Sequence, residues 1–285
     1  MFMSPFKILV TNQKGGVGKS TIAANLAGYL NIRQSLDVAL IDFDRQGSSV
    51  GIVQKTPGGS VQSHRAGLTY QQSSGLTLLE AKAALRNCSK EVDLVVADLT
   101  WTFGLIDDFL LEFDLIIVPS SSSKIEIAST EIFILEYFQK NSAKILAKRQ
   151  QIVVAPSRIE PDQEGTIEFK GLHFLSCCSI APAIYRIDNI NQYLYKSFFS
   201  ESDDPALAAN FSRFCAYISS KIELQRSTQI ALRIQSDLRP VVQSSSRNLS
   251  NIEPAVSVAA SAKITPPGNI HERRYDFIPA FLRKK

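Results

Sequence analysis

Short apolar runs alternate along this chain with longer stretches in which apolar residues recur every three or four positions. The runs Lys7–Thr11, Asp37–Ile41, Leu76–Leu79, Leu94–Ala97, Leu115–Val118, Ile152–Ala155 and Leu172–Leu175 read as strands. Most are continuous rather than alternating, the pattern of strands covered by helices on both faces. Ser20–Arg33, Glu80–Cys88, Gly104–Glu112, Glu126–Arg149 and Pro205–Gln225 read as helices. This rhythm, from Phe6 to about Lys221, predicts an α/β fold with a doubly wound, mostly parallel sheet. In such sheets ligands bind at the carboxyl ends of the strands. Gln54–Ser74, rich in Gly, Ser and Gln, reads as a surface loop. After about Gln235, Ser244–Ser250 and Val256–Gly268 are rich in Ser, Ala and Pro, which predicts a flexible linker. The expected organisation is a main domain over residues 1–225, a helix end and flexible linker over 226–268, and a basic, aromatic C-terminal peptide over 269–285.

Bulk composition narrows the function classes. With 285 residues and 45% hydrophobic content the chain can bury a real core. No stretch approaches the roughly 20 apolar residues that cross a bilayer. Met1–Lys7 runs into the first strand without a secretory pattern. Cys88, Cys177, Cys178 and Cys215 lack C-x-x-C spacing and fit a reducing compartment, so a cytoplasmic location is expected. The net charge of +4 hides an asymmetry: residues 221–285 carry 11 Lys/Arg against 5 Asp/Glu, and the rest of the chain is slightly acidic. Lys221, Arg226, Arg233 and Arg239 lie on or near the last helix, either as a phosphate-neutralising patch or as a solvated helix face.

The chemistry concentrates after the first strand. Lys14-Gly15-Gly16-Val17-Gly18-Lys19-Ser20-Thr21 joins that strand to the first helix, as a phosphate-binding loop must. Its glycines let backbone N–H groups turn inward around phosphate oxygens, beside the positive end of the following helix. Lys19 reaches the β- and γ-phosphates of a nucleotide, and the Ser20 hydroxyl holds Mg²⁺. In the ordinary pattern G-x-x-x-x-G-K-[ST] the first glycine would fall at Gln13, and here a second lysine, Lys14, follows it. One lysine suffices to neutralise the β/γ-phosphates within a subunit, so Lys14 is expected to do another job. The second strand ends in Asp42-Phe43-Asp44-Arg45-Gln46-Gly47, two carboxylates at the mouth of a sheet and suited to metal and water management. Leu94-Val95-Val96-Ala97-Asp98 is an apolar strand ending in an acid, the form of a Walker B motif. Asn12 and Gln13 are placed either to read a base or to support the loop backbone.

The phosphate loop with its second lysine resembles the deviant Walker A motif of the ParA/MinD family of dimeric ATPases, and Asp42–Gly47 resembles that family's D-x-D-x-Q-G element. The resemblance covers about residues 6–220 and looks like the short ParA-like or VirC-like branch. It implies a P-loop NTPase fold, ATP and Mg²⁺ as cofactors, and a homodimer that forms on ATP binding. Lys14 would then cross the dimer to the partner's nucleotide. Asp44 would sit near the attacking water, and Asp42 and Asp98, with Ser20, near Mg²⁺. The family usually has proline where this chain has Arg45, and Asp-x-Pro-Pro where this chain reads Asp98-Leu99-Thr100-Trp101. It implies adenine contacts around Pro156-Ser157-Arg158, where relatives often carry asparagine.

By this resemblance the chain is a partition or DNA-positioning ATPase, nucleoid-associated, with non-specific DNA binding and slow hydrolysis stimulated by an adaptor or ATPase-activating protein. Alternatives are a VirC-like conjugation accessory ATPase and a MinD-like ATPase positioned at a membrane through its C-terminal tail. In that tail Phe277, Ile278, Phe281 and Leu282 stand among basic residues, with Pro279 interrupting them. The cysteines offer no convincing iron–sulfur set, and the lone tail tyrosine, Tyr275, does not make the cluster of a tyrosine autokinase.

Overall fold

Each continuous apolar run serves two cores at once. In β1 (Phe6–Asn12), Phe6, Ile8 and Val10 enter one buried cluster and Leu9 enters the other. β2 (Val38–Asp42) and β4 (Leu94–Thr100) alternate in the same way. The computed structural model describes residues 4–69, 74–100, 107–164 and 177–247, the last as backbone alone beyond Ala231. Over these residues the strands form an eight-stranded sheet in the order β3-β2-β4-β1-β5-β6-β7, with β8 also paired to β6. The remaining strands are β3 (Gln62–Arg65), β5 (Leu115–Ser120), β6 (Gln151–Ile159), β7 (Ser179–Ile180) and β8 (Ile184–Tyr185). All the described pairings are parallel.

Helices cover both faces, as the continuous runs require. α1 (Lys19–Gln34), α2 (Ser48–Lys55) and α6 (Pro205–Arg247) bury Leu26, Val50 and Phe214 in the first core. α3 (Ser74–Cys88), α4 (Asp107–Leu110) and α5 (Lys124–Lys148) bury Leu85, Phe109 and Phe133 in the second. The doubly wound α/β architecture is therefore the one read from the sequence.

Several local readings are corrected. Leu76–Leu79 is the first part of α3 rather than a strand. Leu76 and Leu79 are 44% and 61% exposed, and the helical spacing of buried Ala81, Leu85 and Cys88 governs the segment. Gln54–Ser74 is not simply a loop, because β3 adds to β2 along Ala39–Asp42. Its polar Gln-Ser-His-Arg sequence gives no strand signal because it is an edge strand with no core face, which also blunts the edge. The short helix α2 carried no expectation at all. α6 continues to Arg247 where a linker from about Gln235 was expected; weak apolar periodicity bears on packing, not on whether the backbone is helical. The chain divides into two units, Met1–Leu232 and Arg233–Lys285. The first holds the sheet and both cores, and the described part of the second is the last stretch of α6, to Arg247. The expected strand Leu172–Leu175, part of the expected helix Gly104–Glu112, and the tail from position 248 lie outside the described residues. No described helix is long and apolar enough to cross a membrane.

The helix that carries the phosphate loop is pinned by a distant segment. The Phe198 ring fills the space where Gly28 of α1 lacks a side chain; a Cβ there would lie 2.3 Å from Phe198 Cδ1. Beside it Phe199 N donates to Asn25 Oδ1 at 2.7 Å, and Arg33 pairs with Glu201 at 2.6 Å. Gly28→Ala should therefore destabilise the fold. The helix-propensity gain of about 1 kcal/mol is outweighed by an overpacking cost of roughly 1–3 kcal/mol. Chemical denaturation checks this, and Phe198→Leu added to Gly28→Ala should recover part of the loss.

Candidate nucleotide site

The loop after β1 takes its shape from two left-handed glycines, Gly16 at φ 73° and Gly18 at φ 90°. A side chain at either position would strain the backbone. Gly18 is the N-cap of α1 and offers no side-chain cap, so the first amides of the helix are left for a ligand. Asn12 is committed to the scaffold. Its Nδ2 donates to Pro119 O at 2.6 Å and to Thr130 Oγ1 at 3.2 Å, while its Oδ1 accepts from Lys14 N at 3.0 Å. Of the two readings left open for Asn12, backbone support is the one observed. From the end of β6, buried Ser157 donates its hydroxyl to Val17 O at 3.0 Å, fixing the loop from the other side.

Lys19 and Lys14 differ sharply in setting. Lys19 is buried, and its Nζ donates to Lys14 O at 2.7 Å. Burial pushes its pKa down, while the charges of Asp98 and Asp44 oppose that shift. Lys14 is exposed and is not among the residues that line the cavity beside the loop.

The carboxylates divide by depth. Asp42 and Asp98 face one another in register at the last rung between β2 and β4, and both are buried. Asp42 is satisfied by protein donors: Oδ1 accepts from Asp44 N at 2.8 Å, and Oδ2 from Ser49 N at 2.9 Å and Ser49 Oγ at 2.7 Å. It thus ties the turn after β2 to the start of α2. Asp98 Oδ2 is buried with no hydrogen-bond partner. Its pKa is pushed up to about 7 by burial first and by the Asp42 charge second, against the pull of the Ser20 and Ser49 hydroxyls and of Lys19. Asp44 alone of the three lines the cavity. Its Oδ2 accepts from Thr100 Oγ1 at 3.1 Å and its Oδ1 from Gln46 N at 3.3 Å.

These groups surround a cavity of about 1190 Å³, lined by Gly15 to Ile22, Asp44, Gln46, Ser48 and Thr100. It continues past Ser121 and Ser157 to Arg158, Tyr185 and Ile187. Arg158 has left-handed backbone, φ 57°, and its guanidinium donates to both oxygens of Glu126 at 3.0 Å. Glu126 also accepts from Ser121 N at 3.2 Å, joining the ends of β5 and β6. The cavity thus brings together Gly15, Gly16, Val17, Gly18, Lys19, Ser20, Thr21 and Asp44, and leaves Asp42 and Asp98 outside its lining and Lys14 at its rim in sequence. Ser49, Thr100 and Glu126 were not foreseen. Only Thr100 had a sequence signal, since it lies two residues beyond Asp98 on one strand and so on the same face.

A divalent cation fits this chemistry. The orphaned, buried Asp98 Oδ2 is an oxygen in need of a positive partner, and Ser20 adds a hydroxyl near it. Among the described residues no three His, Cys, Asp or Glu side chains cluster as a closed metal cage. That suits Mg²⁺, which binds through one or two protein oxygens plus waters and phosphates. None of the four cysteines forms a disulfide, and Cys88 and Cys215 are buried.

Comparison with known proteins agrees with the geometry. Residues 8–243 match the family model described as the CobQ/CobB/MinD/ParA nucleotide binding domain. Among curated proteins, the chain is 51% identical over 43 residues to a cytosolic Fe-S cluster assembly factor NUBP1 homolog of Brugia malayi, covering 15% of this chain and 14% of that protein. It is 54% identical over 43 residues to the chromosome-partitioning ATPase Soj of Thermus thermophilus, covering 15% of this chain and 17% of that protein. The match thus spans less than a fifth of either curated relative. Among solved structures, a plasmid partition protein from Borrelia burgdorferi B31 bound to AMPPNP superposes with a TM-score of 0.58 at 18% identity, over 77% of this chain and 100% of that one. This last likeness is one of fold.

The Asp98 environment has a pH consequence. Because its folded pKa lies above the ordinary 3.8, its contribution to stability is fully present below that value and is lost as pH rises toward 7. Asp98→Asn, which cannot ionise, should therefore gain on the wild type as pH rises from about 4 to about 7, by an amount on the order of a few kcal/mol, and then level off. Urea denaturation of both proteins across that range checks this; a difference that does not change with pH would contradict it.

Proposed function

Because the chain belongs to the CobQ/CobB/MinD/ParA nucleotide-binding family, we propose that it is a ParA-type ATPase that dimerises on ATP and acts in plasmid or chromosome partition or DNA positioning. The observation that carries this reading is the contrast between the two lysines of the loop. Lys19 is buried within the cavity, whereas Lys14 is exposed and absent from the lining that its neighbours Gly15 to Thr21 make. An exposed cation placed at a phosphate loop but outside the lining of that loop's own cavity is suited to a second copy's nucleotide, where it would stabilise charge on the transferring phosphoryl group as an arginine finger does.

Within one subunit the roles follow from depth. The amides of Gly15 to Thr21 and Lys19 bind phosphate. Bound Mg²⁺ would supply charge neutralisation on the phosphate oxygens, and Ser20 and Asp98 would hold it. Asp42 contributes negative charge beneath them while its oxygens organise the turn. Asp44, held by Thr100 and Gln46 at the cavity wall, positions the attacking water. The reaction breaks the bond between the β- and γ-phosphates and transfers the γ-phosphoryl group to water.

The expected effects separate the two lysines. Lys19→Ala should abolish nucleotide binding, since it removes the main phosphate charge. Lys14→Ala should leave monomer affinity nearly unchanged and abolish ATP-dependent dimerisation and turnover. Isothermal titration together with size-exclusion chromatography in ATP measures both. Equal loss of binding in the two variants would rule out a role for Lys14 across the dimer.

DNA binding is the second half of the reading, and a nucleoid-associated, cytoplasmic location follows from it. The candidate patch is revised by the structure. Arg226 donates to Asp93 O at 2.7 Å and its guanidinium lies 6.0 Å from the Phe6 ring centroid, so it serves the fold. Arg233 and Arg239, farther along α6, are the cations to test. Binding should need ATP, ignore sequence, and fall with salt at a log–log slope of about −0.9 per neutralised phosphate. Replacing Arg233 and Arg239 by Glu should weaken it alike on all sequences. A strong preference for one sequence, or a flat salt response, would refute this mode. The peptide that suggests membrane or adaptor docking lies outside the described residues, and nothing in the site favours those readings over DNA.

A further inference from the structure

The turn that carries Asp44 has no proline, and its central residues, Arg45 and Gln46, are exposed. It is restrained by Gly47 N donating to Asp44 O at 3.1 Å, by Asp44 N donating to Asp42 Oδ1 at 2.8 Å, and by the contacts of the Asp44 carboxylate with Thr100 and the Gln46 amide. A further side chain bears on it from the edge of the sheet. Arg65, the last residue of β3, is in register with Asp42, and the rung is closed by Ala66 N donating to Asp42 O at 2.9 Å. The Arg65 guanidinium lies against the Cα of Gly47: a Cβ built there would be 2.4 Å from Nε, 2.6 Å from Cζ and 2.8 Å from Nη2. Gly47 is buried beneath it, has left-handed backbone (φ 62°), and is the N-cap of α2. Glycine is therefore required at 47 twice over, for its backbone and for the flat group resting on it.

We propose that Arg65 is a positioning residue for hydrolysis: its planar guanidinium clamps the Asp44–Gly47 turn at Gly47 while Thr100 holds the Asp44 carboxylate. The helix dipole does not explain the placement, because a cation at the N-cap of α2 opposes it. The flat shape fits it: the guanidinium covers the space that a side chain at Gly47 would fill, and lysine has no such plane. Arg65 is not among the residues lining the cavity, so it acts through the turn and not on the nucleotide.

The test compares Arg65→Ala, Arg65→Lys and Arg65→Gln in the full chain. In Arg65→Ala, affinity for a non-hydrolysable ATP analogue and the KM for ATP should stay within about twofold of wild type, because the phosphate loop is untouched, while kcat falls about tenfold. Independently of activity, hydrogen exchange at the Gly47 amide, whose bond closes the turn, should quicken by about tenfold. Arg65→Lys should behave like Arg65→Ala, and Arg65→Gln, which keeps a planar end, should fall between that variant and wild type. In a double-mutant cycle, Gly47→Ala should cost less when Arg65 is already Ala, since the steric conflict is gone. Wild-type behaviour of the lysine variant, unchanged exchange at Gly47 in Arg65→Ala, or strict additivity in the cycle would each overturn the clamp. The catalytic half rests on the role of Asp44 in hydrolysis. Wild-type turnover by Asp44→Ala would defeat that role, whereas the exchange and cycle results test the clamp by themselves.

Discussion

Two carboxylates are buried side by side where β2 and β4 end, and the architecture around them is a response to that juxtaposition. Burying one anion beside another is costly unless donors or cations are supplied. Asp42 receives its donors from the backbone of the next turn and from Ser49, and in accepting them it fixes where α2 begins. Asp98 does not receive a full set: its Oδ2 is left without a donor, and the Lys19 charge only partly offsets the burial of the group. The unbalanced negative charge at this end of the sheet and the inward amides of the loop are complementary halves of one site, the first suited to a cation and the second to phosphate.

Where the sequence was legible, local pattern and tertiary demand coincided. The strands β1, β2, β4, β5 and β6 were visible because each apolar run feeds cores on both faces. The phosphate loop was visible because left-handed glycines between a strand and a helix have few other uses. β3 was hidden because an edge strand with no core face needs no apolar residues. The start of α3 was misread because Leu76 and Leu79 are apolar yet largely exposed, so hydrophobicity there says nothing about period. Within the site, the pairing of Asp42 with Ser49 depends on α2, which was not foreseen. The docking of Arg226 on Asp93 depends on where α6 meets the sheet; charge alone could not distinguish it from a solvent-facing cation.

The two ends of the sheet are used differently. At the carboxyl ends, polar groups converge on an open cavity and several stay available to a ligand. At the opposite end polar side chains close the structure. Gln225 donates to Asp114 O and Arg149 O, Tyr137 donates to Gln150 Oε1, and the Gln150 amide donates in turn to Leu110 O and Phe113 O. Those side chains add donors to backbone carbonyls at that end, where Asp114 O and Leu110 O also accept from Gln151 N and Phe113 N. Substitutions at that end should therefore report on stability alone, whereas those at the carboxyl ends bear on chemistry as well.

The Phe198 wedge also bears on the order in which the protein is made. In synthesis the phosphate loop and α1 precede most of the domain that they belong to. Yet the ring that fills the gap at Gly28, the Phe199 amide that reaches Asn25 and the Glu201 carboxylate that holds Arg33 are separated from their partners by some 170 residues. Contacts of such long span form late, because the intervening loop must close first. A nascent chain therefore carries a nucleotide loop on a helix not yet fastened. Nucleotide affinity becomes a timer for completion: tight binding should arrive only when most of the domain has been synthesised.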